Sequence, residues 1–441
     1  VTITNNGTQT GFGRTGTVDW QTGSIKTSDF TLVDGQGFFV DTNGGEVTAT
    51  LPTGSAGSIV SVQDYRNTFD TSNCIVAASA SQKINGGSAN GQVTLSTEGE
   101  GITLVYIDST IGWRSIQDND FASTSTVPTF ICASGGTITT SPCGNDKIHT
   151  FTGPGTFTVN SISNCAANNE VSYVIVAGGG GSAGFKPCSP AGGSGGGGAG
   201  GYRESKSPVT PYTASPLDGR PSAPNRITVT ATAFPIAVGG GGAQGPRQSP
   251  GGVGTSGVAS TFSSITSAGG GGGANYPGPG AAGGSGGAGR GGGGGPCEAG
   301  GAGNTPPTSP AQGFPGGPGG TTGTGGGGGG ATAAGTAGNT PGTGCNPTQG
   351  GPGGAGATSS INGTPTARAG GGGGSTGPSP AGNPGGVGGA GGGGNGGVPG
   401  SIGQCGTANT GGGAGGAKAV GTCEPGTNGG SGVVIIRYKF Q

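Results

Sequence analysis

One histidine, His149, nine cysteines and a thin scatter of carboxylates are the residues of this chain equipped for chemistry. Their spacing argues against most of it. The cysteines stand at Cys74, Cys132, Cys143, Cys165, Cys188, Cys297, Cys345, Cys405 and Cys423, with no CxxC pair among them, and one His cannot complete a Cys/His zinc set. No metal site is expected; disulfides and small buried thiols are. An odd count leaves at least one thiol unpaired within the chain or bonded to another chain. Cys132 and Cys143 flank a Gly-rich turn and are the expected intrachain pair; the remaining connectivity stays open. His149 lies in an alternating strand pattern, which points to a structural role rather than to a Ser–His–Asp arrangement. Asp64, Asp118 and Asp120 are the acids from which a glycan-cleaving pair would be drawn. Such a pair works in an aromatic-lined cleft, whereas Trp20 and Trp113 fall in repeat-like β segments. Gly-rich strings invite a phosphate-loop reading, but GKS and GKT are absent, and Lys418 in GGAKAV has no hydroxyl residue after it. No catalytic residue and no cofactor follow, and the chain is expected not to be an enzyme.

The elements around these residues are unusual. Of 441 residues 117 are Gly and 31 are Pro, charged residues make up 8% and the formal net charge is −1. That balance offers no electrostatic attraction to nucleic acid or to an anionic membrane surface. Apolar residues amount to 29% and aromatic ones to 5%, too few for one large side-chain core. No run approaches the ~20 apolar residues of a membrane-spanning helix, and no charged leader with an apolar stretch opens the sequence. A chain that opens at Val1 and holds no Met is expected to be a processed product or a piece of a longer one.

Three zones of composition follow one another. Residues 1–121 read as an all-β module, with FTLV (30–33), GFFVDT (37–42), VTATLP (47–52), SIVSVQDY (58–65), QVTLST (92–97) and GITLVYID (101–108) each bounded by Gly, Asn, Asp or Ser. Residues 122–130 form a small polar linker, and residues 131–441 a glycine-rich domain. Within that domain, β strands are predicted near 147–177, 226–238, 258–268 and 432–440, where β-branched and aromatic residues gather. Three of these runs pass straight into glycine: YVIVA into 178–181, PIAV into 239–242 and TSA into 269–273. The terminal strand has glycine before it, as suits a chain returning to a β base.

Glycine runs are usually flexible linkers. Disorder, however, favours high net charge, which is missing here. Collagen requires Gly at every third position, and 325–330 and 391–394 do not keep that register. A bundle of polyproline-II-like glycine helices remains. Such a helix rises about 3.1 Å per residue with three residues per turn and no internal hydrogen bonds. Its outward N–H and C=O groups must then be met by neighbouring helices, which only side chains as small as Gly, Ala, Ser or Thr allow. The fold class expected is all-β with a polyglycine-II helix bundle between 178 and 431: an N-terminal β module, then a β base carrying a layered glycine-helix array.

Two stretches carry a resemblance. The segment TVDWQTGSIKTSDFTLVDGQGFFVDTNGGEVTATLPTGSAGSIVSVQDYRNTF, followed by KINGG and TLVYIDSTIGWRSI, resembles tail-fibre repeats of T-even-like phages of marine cyanobacteria. The stretch from KIHTFTGPGTFTV through VSYVIVAGGGG to SGVVIIRYKF is similar to the glycine-rich domain of phage tail proteins, and the glycine runs to distal adhesins with polyglycine helices. The resemblance implies an extracellular virion tail-fibre protein, homotrimeric among other fibre subunits. It would bind a host cell-surface receptor, either a glycan or an outer-membrane protein, through turns between glycine helices. This chain departs from the adhesins in its Pro- and Thr-rich interior turns. Counting run directions puts GFKPCSP (184–190), AQGPRQSP (243–250) and NYPGPG (275–280) at the far tip. Phe185, Lys186, Arg247, Gln248, Asn275 and Tyr276 are then the receptor-contact candidates, since aromatic and cationic side chains dominate recognition hot spots. The alternative is a structural extracellular or virion fibre subunit with no recognition role.

Overall fold

A computed structural model describes residues 18–116, 129–184, 192–246, 252–274, 278–292, 297–321, 323–339, 349–377, 384–418 and 425–441. No α-helix occurs among them, and the chain is all-β where it has regular structure. It divides into two compact units, Val1–Thr129 and Phe130–Gln441.

In the first unit the strands are β1 (Asp19–Trp20), β2 (Phe30–Thr31), β3 (Gln36–Val40), β4 (Val47–Thr50), β5 (Ile59–Asp64), β6 (Cys74–Ala77), β7 (Gln92–Leu95), β8 (Gly101–Asp108) and β9 (Gly112–Ser115). They alternate between two sheets. β1, β3 and β5 lie parallel in one, β2, β4 and β6 lie parallel in the other, and β7, β8 and β9 close both sheets antiparallel. Side chains alternate along a strand, so Phe38, Val40, Val62, Ile102 and Leu104 turn inward to meet Val47, Ala49, Val76 and Leu95. Trp113 lies fully buried in this core, its indole N–H donating to Gln82 Oε1 at 3.2 Å.

The second unit begins as a sandwich. Its strands are β10 (Cys132–Ser134), β11 (Thr137–Thr140), β12 (Asp146–Phe151), β13 (Gly155–Ser161), β14 (Glu170–Val176), β15 (Tyr202–Ser205), β16 (Ile227–Thr228), β17 (Ala233–Ala237), β18 (Ser260–Phe262), β19 (Ile265–Ser267), β20 (Ala357–Ser359), β21 (Thr366–Arg368) and β22 (Val433–Lys439). One sheet runs β10-β13-β17-β18-β19 and the other β11-β12-β22-β14-β15, with β16 also paired to β14 and β20-β21 as a separate hairpin. Phe157, Tyr173, Ile175, Phe262, Ile436 and Tyr438 fill the space between the sheets. The opposite face of β14 and β22 is also covered: Val174, Val176, Val433 and Ile435 pack with Tyr202, Ala331, Ile361 and Ala369. Burial on both faces explains why VSYVIV and VVII read as unbroken apolar runs.

Past these strands the chain continues as extended glycine segments that pack side by side. Their hydrogen bonds have a period of three. Along 177–184, Gly178 and Gly181 donate to Val258 and Thr255, Gly179 and Ser182 to Gly430 and Thr427, and Ala177 and Gly180 to Gly201 and Gly198. A β-strand would alternate between two sides; this backbone rotates through three. Segment 192–201 shows the full pattern. It donates to 323–329, 411–414 and 268–271, and it accepts from 177–180, 285–291 and 372–375, so six neighbours surround it. Segment 325–331 likewise donates to 369–375, 286–289 and 333–336 and accepts from 196–199, 314–317 and 351–354. Backbone groups buried away from water thus find partners without a β ladder.

Outer segments carry the same period in their burial. Gly239, Gly242 and Gly245 are buried while the residues between them are less so, and Gly351, Gly354 and Ala357 repeat this. In PGGVGGA (384–390), Gly386 and Gly389 are buried, whereas Pro384, Val387 and Ala390 are exposed. Side chains appear where the rotation points outward.

Candidate functional site

His149 lies fully buried in the sandwich. One ring nitrogen, Nδ1, meets the Gly135 carbonyl at 2.7 Å, and the other, Nε2, meets the Tyr438 hydroxyl at 3.0 Å. Phe157 packs edge-on against the ring, and burial holds the imidazole below its ordinary titration range. Both nitrogens are engaged, one tying β12 to β22 and the other to the turn between β10 and β11. Asp64 is similarly engaged, accepting from the backbone N–H of Arg66, Phe69 and Gly99 at 3.1–3.2 Å. Asp118 and Asp120 lie outside the described residues. Among the described residues no group of three His, Cys, Asp or Glu is placed to hold a metal ion.

The Cys132–Cys143 pair does not form. Both are free, exposed thiols: Cys132 opens β10 in one sheet, whereas Cys143 lies in the turn between β11 and β12 of the other. The sheet change at Gly135 and Gly136, both with positive φ, separates two cysteines that are close in sequence.

The two ends of the glycine array differ in chemistry. At the strand end, buried charges tie the loops down. Arg437 of β22 donates to Asp146 at 2.6 Å and to the Pro211 carbonyl at 2.8 Å, with both charged side chains almost fully buried. Glu204 of β15 accepts from Tyr202 Oη at 2.9 Å, Ser359 Oγ at 2.7 Å and the Ser215 N–H at 3.0 Å. Arg203, Arg220 and Arg226 also belong here: Arg203 reaches Asn225, Arg220 pairs with Glu170 at 2.8 Å, and Arg226 reaches the Arg220 carbonyl. The NTPPTSP loop joins this end through Asn225, whose amide donates to the Ser309 carbonyl at 2.8 Å. Arg437, Asp146 and Glu204 escaped the sequence reading. The signal for Arg437 was a cation inside a strand run, VVIIRYK, whose other interior residues are apolar or aromatic.

The far end is reached by following run direction. Segments leaving β14, β17 and β19 ascend through 177–184, 239–246 and 268–274, and their antiparallel partners 192–201 and 252–258 lead back into β15 and β18. Gly184, Gly192, Pro246, Gly252 and Ala274 therefore stand farthest from the sheets. Phe185, Lys186, Arg247, Gln248, Asn275 and Tyr276 all lie outside the described residues. One far-end turn is described in full. Val398 and Ser401 exchange backbone hydrogen bonds at 3.2 and 2.8 Å around Pro399 and Gly400, and Gly400 has φ +90°. Two cations sit in the last residues of ascending segments: Arg290 lies against Gly192, and Lys418 is buried, which lowers the pKa of its amine.

Comparison with known families gives one match: a family model described as a glycine-rich domain covers residues 150–439. No curated protein matches the chain.

Proposed function

We propose, for a chain that belongs to the glycine-rich domain family, a non-enzymatic role in which a glycine scaffold carries turns outward from a β base to bind a host-cell receptor. The observation that supports this most is the direction of the array. Segments leave the sandwich, run to one end and return, so that their described ends away from the strands gather on one side of the unit. The three-way rotation of backbone donors and the six neighbours of 192–201 support reading the segments as polyproline-II-like glycine helices. Such a scaffold is rigid without large side chains, which leaves specificity to the turns. Together with the resemblance of both halves to phage tail proteins, this supports reading the chain as a virion tail-fibre protein, extracellular and homotrimeric, acting beside other fibre subunits. Phe185, Lys186, Arg247, Gln248, Asn275 and Tyr276 are the receptor contacts we propose. Replacing Phe185 and Tyr276 together by Ala is expected to cut retention on host cells about tenfold or more with the fold intact, as loss of two hot-spot side chains would. Unaltered adsorption of the double variant would remove these contacts from the proposal.

A purely structural fibre subunit is the second reading. The described turn at 398–401, Val-Pro-Gly-Ser, favours it, because it presents neither an aromatic ring nor a charge. Light scattering tests the two readings together: a trimer is expected for either fibre role, and a monomer counts against both.

A further inference from the structure

The first unit has a surface that the glycine array does not share. On the outward face of its parallel strands, three aromatic rings stand in line: Trp20 on β1, Phe39 on β3 and Tyr65 just past β5. Trp20 and Phe39 have ring centroids 4.9 Å apart, and Phe39 and Tyr65 are 6.5 Å apart. Trp20 is 38% exposed and Tyr65 48%, in a chain whose other tryptophan is fully buried. The indole is seated on backbone. Trp20 pairs with Gly37 in register, and a Cβ at Gly37 would overlap the indole ring. The ring therefore rests against glycine on one side and remains open to solvent. At the far end of the row Asp41 accepts from Arg66 Nε at 2.7 Å, and the Arg66 guanidinium lies 5.7 Å from the Tyr65 ring.

We propose that this row is a binding site for a glycan chain. Aromatic faces stack on the apolar C–H faces of pyranose rings. The bordering Asp41–Arg66 pair supplies a carboxylate acceptor and guanidinium donors for ring hydroxyls. A second protein copy is a poorer fit. Three partly exposed rings offer roughly a few hundred Å² at most, on the basis of about 150–250 Å² for each fully buried ring. A stable interface uses about 800 Å² per partner. The site is independent of any contact made at the far end of the glycine array and stands or falls separately from it.

Affinity electrophoresis of the full chain tests this, with gels containing dextran, a soluble β-1,3-glucan or O-chain lipopolysaccharide. At least one polysaccharide is expected to retard the chain. Trp20→Ala should weaken that retardation about fivefold or more, the range of a stacked hot-spot side chain, and Tyr65→Ala should weaken it by less. The fluorescence of buried Trp113 reports whether the Trp20 variant is folded; if it is not, Tyr65→Ala alone decides. Retardation by none of the three, or equal retardation of parent and folded variants, overturns the proposal. So does a parent that sediments as an oligomer which Trp20→Ala converts to a smaller species.

Discussion

The two units solve the same problem with opposite materials. In the first, side chains do the holding: Leu104, Ile102, Val62 and Trp113 interlock between two sheets, and the backbone pairs only along strand edges. In the glycine array the backbone does the holding, and side chains are what must be kept out. Around 192–201 every direction is filled by a neighbour's carbonyl or amide. Close packing in a core tolerates volume-conserving exchange. A lattice of hydrogen-bonded carbonyls takes small side chains at a few positions, such as Ser194 and Ala199, but where a glycine faces a neighbour's carbonyl it tolerates no added atom, because that neighbour is itself bonded to a third segment.

The sharpest break in this comparison is Gly197→Val. A Cβ at Gly197 would overlap the Gly180 carbonyl, which itself accepts from the Ala414 N–H of a third segment at 3.0 Å. The variant is expected to lose the array altogether, read as rapid protease cleavage throughout the glycine segments, while the first unit stays protected. An array that remains resistant would show that its segments can slide apart. Next in size is Leu104→Ala in the first unit. The side chain is 1% exposed, and truncation should cost about 2–5 kcal/mol. The chemical-denaturation midpoint of that unit should fall while hydrogen exchange in the array is unchanged. A loss shared by both units would contradict their division.

A pH difference between the units is expected to be smaller. His149, the one His in the chain, is in the second unit, and burial holds its pKa below the usual 6.5. The unfolded chain therefore takes up a proton at a pH where the native state does not. Stability from this group is complete above about pH 6.5 and declines as pH falls below it. Hydrogen exchange in β12 and β22 should accelerate on acidification from pH 7 towards pH 5.5, relative to the first unit, which has no His. His149→Gln should abolish that relative change; a slope that persists in the variant would assign it to other groups.

How much of this was legible depended on where the ordering information sits. Strands such as β14 and β22 announced themselves by apolar runs, and so did their passage into glycine, because both facts are local. The all-β class followed. The alternation of β1 through β6 between two sheets was not legible. Those strands are short, their partners are parallel and distant in sequence, and β1, β6 and β9 lie outside the runs picked out by composition. The Cys132–Cys143 pairing failed because proximity in sequence says nothing of a chain that changes sheets between the two residues. The receptor-contact candidates followed from counting run directions. Their side chains lie outside the described residues.

One signal was present and passed over. Strict glycine triplets are absent from 325–330 and 391–394, but the outer segments carry the period in their exceptions. Pro384, Val387 and Ala390, or Pro315, Pro318 and Thr321, are spaced by three and exposed, with glycine between them. In these outer segments the side chains mark the outward positions of the three-residue period, whereas the side chains inside the array, such as Ser194, Ala199 and Ala414, are small; this gives the smallest prediction. Gly240 lies between buried Gly239 and Gly242, and a Cβ there would meet nothing within 4 Å. Gly240→Ala should change stability by no more than about 0.5 kcal/mol, the range of surface substitutions that touch nothing. Gly239→Ala, whose Cβ would overlap the Val258 carbonyl, should be clearly destabilising in the same denaturation assay. Equal effects at these adjacent glycines would mean that composition alone, and not the direction in which each residue faces, governs the array.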